Sequence, residues 1–424
     1  MIDLILSALK AQGIAAYVIN EHTRESAERF FIRQREDIRR AKHVREVEIT
    51  VYRDFESDGK AMRGSSTVKL QPSMTEEEIA RKLAGAYESA LYVKNPFFEL
   101  PDPVCETLTP EGPLAAMTLD DAADAMAEAL FAPDRMDDAF INSAEIFATR
   151  QDTRTITSRG TDVRYSAFRV KGEFVVQCVR PTDVEMYHSF EYAAPDTLAL
   201  SDLSLDALTT VRDRALADAA PEAGAYDVIL TKKHVCTLLS AYVDKAAADM
   251  VYAKYSPYAV GTHAQGDAVT GEALNLSVFP DAPFSSDGIR MTERPLLENG
   301  VVKGIYGATR FCRYLNLEPS GVYENIRVNN GTLSLEELKN RRCLMPVAFS
   351  DFQMDSMSGR FGGEIRLAYL FDGEGGVQLV TGGSISGSLL EKQDRLTFST
   401  ERYTNSHYDG PAAVLIPGVS VAGC

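Results

Sequence analysis

The sequence predicts an α+β protein in two parts. Residues 1–222 read as an N-terminal α/β-mixed domain with an antiparallel sheet and helices, and residues 223–424 as a β-rich C-terminal domain with one main helix. Three observations carry this. Apolar residues recur at helical spacing in four stretches of the first half, and alternate with polar ones between residues 139 and 192. Beyond a single helical stretch after residue 232 the chain reads as strand and loop, with fourteen Gly or Pro among its last sixty-six residues. The length of 424 residues also exceeds the size at which one core stops growing, about 250–300 residues.

Residues 2–12 form the first expected helix, with Ile2, Ile5, Leu6 and Leu9 inward and Gly13 as its stop. A strand over residues 15–20 follows. Residues 23–46 hold eight Lys/Arg against five Asp/Glu, read as solvated strand and helix faces, with a partner-binding stripe as the alternative. Residues 47–54 and 60–70 read as a hairpin turning at Ser57-Asp58-Gly59. Thr75 and Glu78 have capping-box spacing before a helix that buries Ile79, Leu83, Ala86, Tyr87 and Ala90 and ends at Asn95-Pro96. Residues 97–113 read as an extended connector. A helix over residues 119–131 turns Ala122, Ala125, Met126, Ala129 and Leu130 inward. Five short strands are expected at 140–149, 153–158, 163–170, 173–180 and 185–192, broken at Gly160, Lys171-Gly172 and Pro181. Residues 205–219 return to helix, and 221–225 mark the boundary.

Residues 226–230, YDVIL, read as a strand. After it, Val235, Leu238, Leu239, Tyr242, Val243, Ala246 and Met250 recur at the spacing of one apolar helix face, with no Gly or Pro to interrupt it. A metal-dependent hydrolase built here needs imidazoles and a carboxylate on or just beyond this helix. The sequence offers Ser240, Ala241 and Lys245.

Composition narrows the function classes. With 61 acidic and 44 basic residues the chain carries a net charge of −17, which repels nucleic acid and anionic membrane. The six cysteines, among them Cys424, show no paired spacing, so reduced thiols are expected. No run approaches the roughly 18 apolar residues of a membrane span, and the N-terminal stretch lacks the basic region of a signal peptide. The expectation is a soluble cytoplasmic protein.

The six histidines (His22, His43, His188, His234, His263 and His407) include no pair at a ligand spacing, and His234 with Cys236 would point to different sides of a helix. No nucleophile elbow or phosphate loop is present. Ser384, Ser386 and residues 397–400 are rich in hydroxyls but lack a base at catalytic spacing. Asp351, Asp355 and Glu364 form a loose acidic group, read as a solvated surface.

Several stretches, in the same order along the chain, resemble the TldD/PmbA family, once called modulators of DNA gyrase. They are residues 49–70 (ITVYRDFESDGKAMRGSSTVKL, with Gly64, Ser65, Ser66 and Thr67), 226–230 with the helix after it, 294–307 (RPLLENGVVKGIYG) with 315–321, 382–391 (GGSISGSLLE) and 414–423 (VLIPGVSVAG). In one branch of that family the helix carries HExxxH, and a later Cys completes a metal site that cleaves unstructured peptides. The corresponding positions here are Ser240, Ala241 and Lys245. Residues 403–412 contain His407 but no Cys, and Cys424 lies beyond the position of the family's ligand. The resemblance is therefore to the PmbA/TldE branch, which lacks the motif. It implies no catalytic residue, cofactor or metal of the chain's own. It also implies a TldD-like metal-bearing partner, or a homodimer, enclosing extended peptide, with neither nucleic acid nor membrane as partner. The rival expectations are a stand-alone hydrolase using residues such as Ser386 or His407, and a protein-binding regulator.

Overall fold

The structure is a computed structural model describing residues 1–423; Cys424 lies outside the described residues. Helix α1 (Ile2–Ala11) stops at Gly13, whose φ of +65° suits a residue without a Cβ. Strands β1 (Ala16–Ile32) and β2 (Arg35–Ser57) then form one long hairpin, where the sequence suggested a short strand and mixed charged faces. The charges are compatible with a strand because they pair across the hairpin. Arg40 and Lys42 both reach Glu28, and Arg45 reaches Glu21. Arg29 is fully buried and held by Asp120 and Asp124, at 2.5 and 2.7 Å.

Strand β3 (Lys60–Leu70) pairs with β2 from Val47 onward. Its outer edge is capped by residues 90–97: Arg63 N donates to Asn95 O at 2.8 Å and Phe97 N to Ala61 O at 3.0 Å. Helix α2 (Glu76–Ser89) has the expected capping box, Thr75 and Glu78 each accepting from the other's backbone N–H. It buries Ile79, Leu83 and Ala86 against α1 and against Ile49 and Val51 of β2, while Tyr87 stays partly exposed. The connector holds strand β4 (Cys105–Thr107) and helix α3 (Pro113–Ala116). Helix α4 (Leu119–Phe131) has the expected limits, with Thr118 as its N-cap, and Ala123 and Ala127 join its buried face.

The five strands expected next are three: β5 (Ala139–Thr157), β6 (Asp162–Cys178) and β7 (Val184–Tyr192). Gly172 sits inside β6 without ending it. A Cβ there would overlap Glu145 O and come within 2.6 Å of Phe190 Cζ, so the glycine makes room for an aromatic ring crossing the strand. Helix α5 (Thr197–Leu216) begins earlier than expected because the Asp196 carboxylate caps it, accepting from Ala199 N at 2.9 Å. The sheet runs β3-β2-β1-β5-β6-β4, with β7 on β6. Helices α4 and α5 bury Met126, Leu130, Leu208 and Val211 against β5, β6 and β7.

In the C-terminal half, strand β8 (Gly224–Thr231) leads into α6 (Lys233–Lys245) and α7 (Ala248–Tyr252). The sequence suggested one helix through Met250. The break arises because a passing segment takes the backbone groups: Tyr306 N donates to Ala246 O at 3.1 Å and Ala248 N to Tyr306 O at 2.7 Å. Strands β9 (Leu276–Phe279), β10 (Arg294–Glu298) and β11 (Val301–Val302) precede α8 (Thr309–Tyr314), β12 (Asn325–Val328) and α9 (Leu335–Lys339). Two long strands follow, β13 (Arg342–Asp355) and β14 (Arg360–Asp372), then β15 (Val377–Val380), β16 (Ser384–Ser388) and α10 (Leu389–Lys392). Strands β17 (Thr397–Phe398), β18 (Arg402–Thr404), β19 (Tyr408–Pro411) and β20 (Ala413–Ala422) end the described chain.

Pairing in the order β13-β8-β20-β16-β14, with β14 returning to β13, closes a five-stranded ring that has no free edge of its own. A second sheet, β11-β10-β9-β12-β19-β18, lies beside it. Their shared core includes Val228, Leu230, Leu276, Ile326, Leu344 and Ile416. Ala348 and Leu367 join the N-terminal core instead, and Tyr369 Oη donates to Asp213 of α5 at 2.5 Å, tying the halves together. The architecture is mixed α+β in both halves, as the sequence predicts.

Candidate functional site

The centre of the C-terminal half is α6. Strand β8, lying between β13 and β20, ends at Thr231, and Lys232 at φ +50° turns the chain into the helix. His234, Val235, Leu238, Leu239, Ala241, Tyr242, Val243 and Lys245 are all buried, a wider face than the single stripe the sequence suggests. Tyr242 is enclosed, and its hydroxyl donates to Gln393 Oε1 at 3.2 Å.

The three positions singled out by sequence lie on this helix in different settings. Ser240 is partly buried, and its hydroxyl donates to Thr237 O at 2.9 Å, a bond within its own helix. The Ala241 methyl lines a small cavity with Tyr242, Lys245, Tyr258, Met354, Leu389 and Gln393, with room for about one water. Lys245 is 93% buried by surface area, at 7% exposure. Its ammonium makes no hydrogen bond or ion pair to a described residue. Burial pushes its pKa below the ordinary lysine value, opposed by the Asp355 carboxylate. The helix end is fixed from behind, since Ser256 Oγ donates to Lys245 O at 2.5 Å. Asp244 accepts from Ser356 Oγ, so the β13–β14 turn lies over the same end.

A metal held here would need lone pairs converging from several side chains. The donor set does not fit one: a hydroxyl engaged with its own helix, a methyl and an ammonium occupy the three positions. Among the described residues no group of three or more His, Cys, Asp or Glu is arranged to hold a metal ion.

The histidines are dispersed. His234 packs edge-on against Phe349 and Phe352, with ring centroids 4.8 and 5.4 Å away. Burial drives its pKa down to about 3, and its Nδ1 has no hydrogen-bond partner among the described residues. Cys236, two residues on, has its thiol pushed up to about 11 by burial. His188 stacks on Phe174 at 5.3 Å, and burial lowers its pKa to about 4. His22 contacts Thr153, His43 lies by Glu25, and His263 by Asp267.

His407 has both ring nitrogens engaged, Nδ1 with Asn325 Oδ1 at 2.8 Å and Nε2 with Glu191 Oε2 at 3.8 Å. The Glu191 carboxylate raises its pKa. This pair spans the two halves, a link that neither residue signals in sequence. Ser386 is exposed on β16, and among the described residues no base is hydrogen-bonded to it. Asp351, Asp355 and Glu364 do converge, lining an open groove with Arg360, Gly362 and Gly363 beside the β13–β14 turn. Ser350 Oγ donates to Glu364 at 2.9 Å, and Asp355 is occupied by Ser358 and by Met357 N, which hold its carboxyl below the usual range.

Residues 223–423 match the family model described as the PmbA/TldA metallopeptidase C-terminal domain. No curated protein matches the chain. Three solved structures share the fold over essentially the whole chain, each at a TM-score of 0.77. One, from Thermotoga maritima MSB8, carries the description of a candidate modulator of a DNA gyrase; it is 18% identical, with 99% of each chain covered. TldE from Thermococcus kodakarensis is 15% identical, with 100% of both chains covered. A candidate modulator of DNA gyrase from Bacteroides thetaiotaomicron VPI-5482 is 15% identical, covering 100% of this chain and 98% of its own.

Proposed function

From the premise that the chain carries a TldD/PmbA-family C-terminal domain over residues 223–423, we propose that it is a non-catalytic, PmbA/TldE-like subunit of a cytoplasmic metalloprotease complex acting on unstructured peptides. A TldD-like partner supplies the metal, the activated water and the general base. This chain shapes and closes the chamber, its two domains dividing at residue 222. The observation that carries the reading is the state of α6. The helix is packed as tightly as a core helix, and Ser240, Ala241 and Lys245 are the residues that the sequence resemblance sets against the ligands and base of the family's metal-bearing members. An ammonium at the third place opposes a divalent cation rather than holding it. Extended peptide suits such a chamber because main-chain hydrogen bonding tolerates many sequences.

Purification from the native cell with metal analysis tests this. A TldD-like chain and about one zinc per pair, as one catalytic site requires, should come down with the protein, and only the pair should cleave an unfolded peptide. Cleavage of that peptide by the isolated chain after metal stripping would overturn the reading in favour of a stand-alone hydrolase.

A further inference from the structure

The basic run of residues 23–46 becomes, in its second part, the outer edge of β2. The N-terminal sheet treats its exposed edges differently. The β3 edge is covered at Ala61 and Arg63 by residues 90–97, as described. The β2 edge loses its outer neighbour at Val47, where pairing with β3 stops. Residues 38–46 pair with β1 on their inner side in unbroken register, and no backbone hydrogen bond from a described residue reaches their outer side. The register shift at Phe30/Phe31 lies beyond this stretch, which contains no Pro. A regular edge of this kind leaves N–H and C=O groups to water and is a template for another strand.

Its side chains say which strand fits. Alternation places Ile38, Arg40, Lys42 and Val44 on one face of β2. That face is opposite to the one on which Arg29 meets Asp120 and Asp124 of α4. Ile38 and Val44 are 49% and 43% exposed. Arg40 and Lys42 share a single buried carboxylate, Glu28, which leaves this face a surplus positive charge. In a chain of net charge −17, residues 38–46 hold four Lys/Arg and one Glu. A second copy is a poor occupant, because antiparallel pairing centred on Ala41 sets Arg40 against Lys42.

We infer that the outer edge of β2, residues 38–46, docks an extended segment of another polypeptide in which two acidic residues at alternate positions are flanked by apolar ones. Main-chain hydrogen bonds extend the sheet, carboxylates face Arg40 and Lys42, and the apolar ends cover Ile38 and Val44. This requires only the present chain, so its failure leaves the accessory-subunit reading standing.

The test uses the full chain alone and the heptapeptide Val-Thr-Glu-Thr-Glu-Thr-Val, followed by fluorescence anisotropy and amide hydrogen exchange. Binding should protect amides within residues 38–46. It should weaken at least tenfold when the glutamates become lysines, or when alternate peptide nitrogens are methylated. An I38E/V44E variant, changed only at exposed positions, should weaken it similarly. Equal binding of the methylated peptide would overturn strand pairing, and absence of binding would overturn the inference altogether. Concentration-dependent self-association that protects the same amides would replace the acidic segment with a second copy.

Discussion

Gly64→Ala isolates the contact that closes the β3 edge. Gly64 lacks the positive φ that would make an added Cβ strained, so the cost is steric. The new methyl would overlap Ala90 O and approach Val93 O to 2.7 Å, and both obstacles are backbone. Residues 90–97 must lift away. That loosens the bonds from Arg63 N to Asn95 O and from Phe97 N to Ala61 O, each contributing about 1 kcal/mol net. It also disturbs the Arg63 Nη1 contact to Phe98 O at 2.7 Å and partly exposes Phe98, now 7% exposed, at a further ~1–2 kcal/mol. The expected loss is about 3–4 kcal/mol of local stability. Amide hydrogen exchange at Arg63 and Phe97 should accelerate by about two orders of magnitude or more, since each 1.4 kcal/mol is a factor of ten. Gly85→Ala is the control: it lies on the exposed side of α2 with nothing near its Cβ, and should stabilise by about 0.5–1 kcal/mol. Unchanged protection of the Phe97 amide in Gly64→Ala would refute the steric argument.

Lys245→Met should change stability by less than about 1 kcal/mol in urea denaturation, because the aliphatic stem of Lys245 is buried while its ammonium is not an enclosed polar atom and feels the Asp355 carboxylate; a loss above about 2 kcal/mol would show that the charge has a structural partner. The unfolded chain keeps the Lys245 proton to higher pH than the folded one, so wild-type stability should rise with pH in the window below 10.5. The variant should lack that contribution. For His407 the sign is reversed. Its folded pKa is raised, chiefly by Glu191, with Asp281 also raising it and Arg169 opposing. Its contribution to holding the halves together is therefore full below the ordinary value of 6.5 and is lost as pH climbs through the raised one. His407→Gln should abolish this pH dependence, measured as protease sensitivity between the halves. Arg29→Met should destabilise by no more than about 1 kcal/mol, because Asp120 and Asp124 are partly exposed and keep Arg39 at 4.0 and 3.0 Å. Thermal unfolding of the variant checks it.

Local signals in the sequence were legible where chemistry is local. The Thr75–Glu78 box sets the start of α2 because it depends on residues three apart, and the apolar spacing within residues 119–131 matches the limits of α4. Features decided by distant residues were not. Gly172 reads as a break until Phe190 is seen to cross it, and the charged run of β1 and β2 reads as several faces until Glu28 meets Arg40 and Lys42. The end of α6 is set by Tyr306, which no periodicity within the helix could reveal. At the candidate site, sequence placed Ser240, Ala241 and Lys245 on one helix, but the burial of Lys245 depends on Met354, Leu389 and Leu390 arriving from later elements. The His407–Glu191 contact and the convergence of Asp355 on Lys245 likewise needed the tertiary structure.

The ring of five strands also orders events during synthesis. Strand β8, the first of the C-terminal half to be made, takes as neighbours β13 and β20, the second of which is the last described strand to emerge. Ile229 faces Leu415, so the wall cannot seal until nearly the whole half has left the ribosome. Long-range pairing of this kind is slow, since chain closure must precede its reward. The N-terminal sheet draws all its strands from residues 16–192 and can assemble earlier. Until β20 arrives, β8 and β16 stand open to wrong neighbours, which makes the nascent C-terminal half the stage most dependent on chaperone protection.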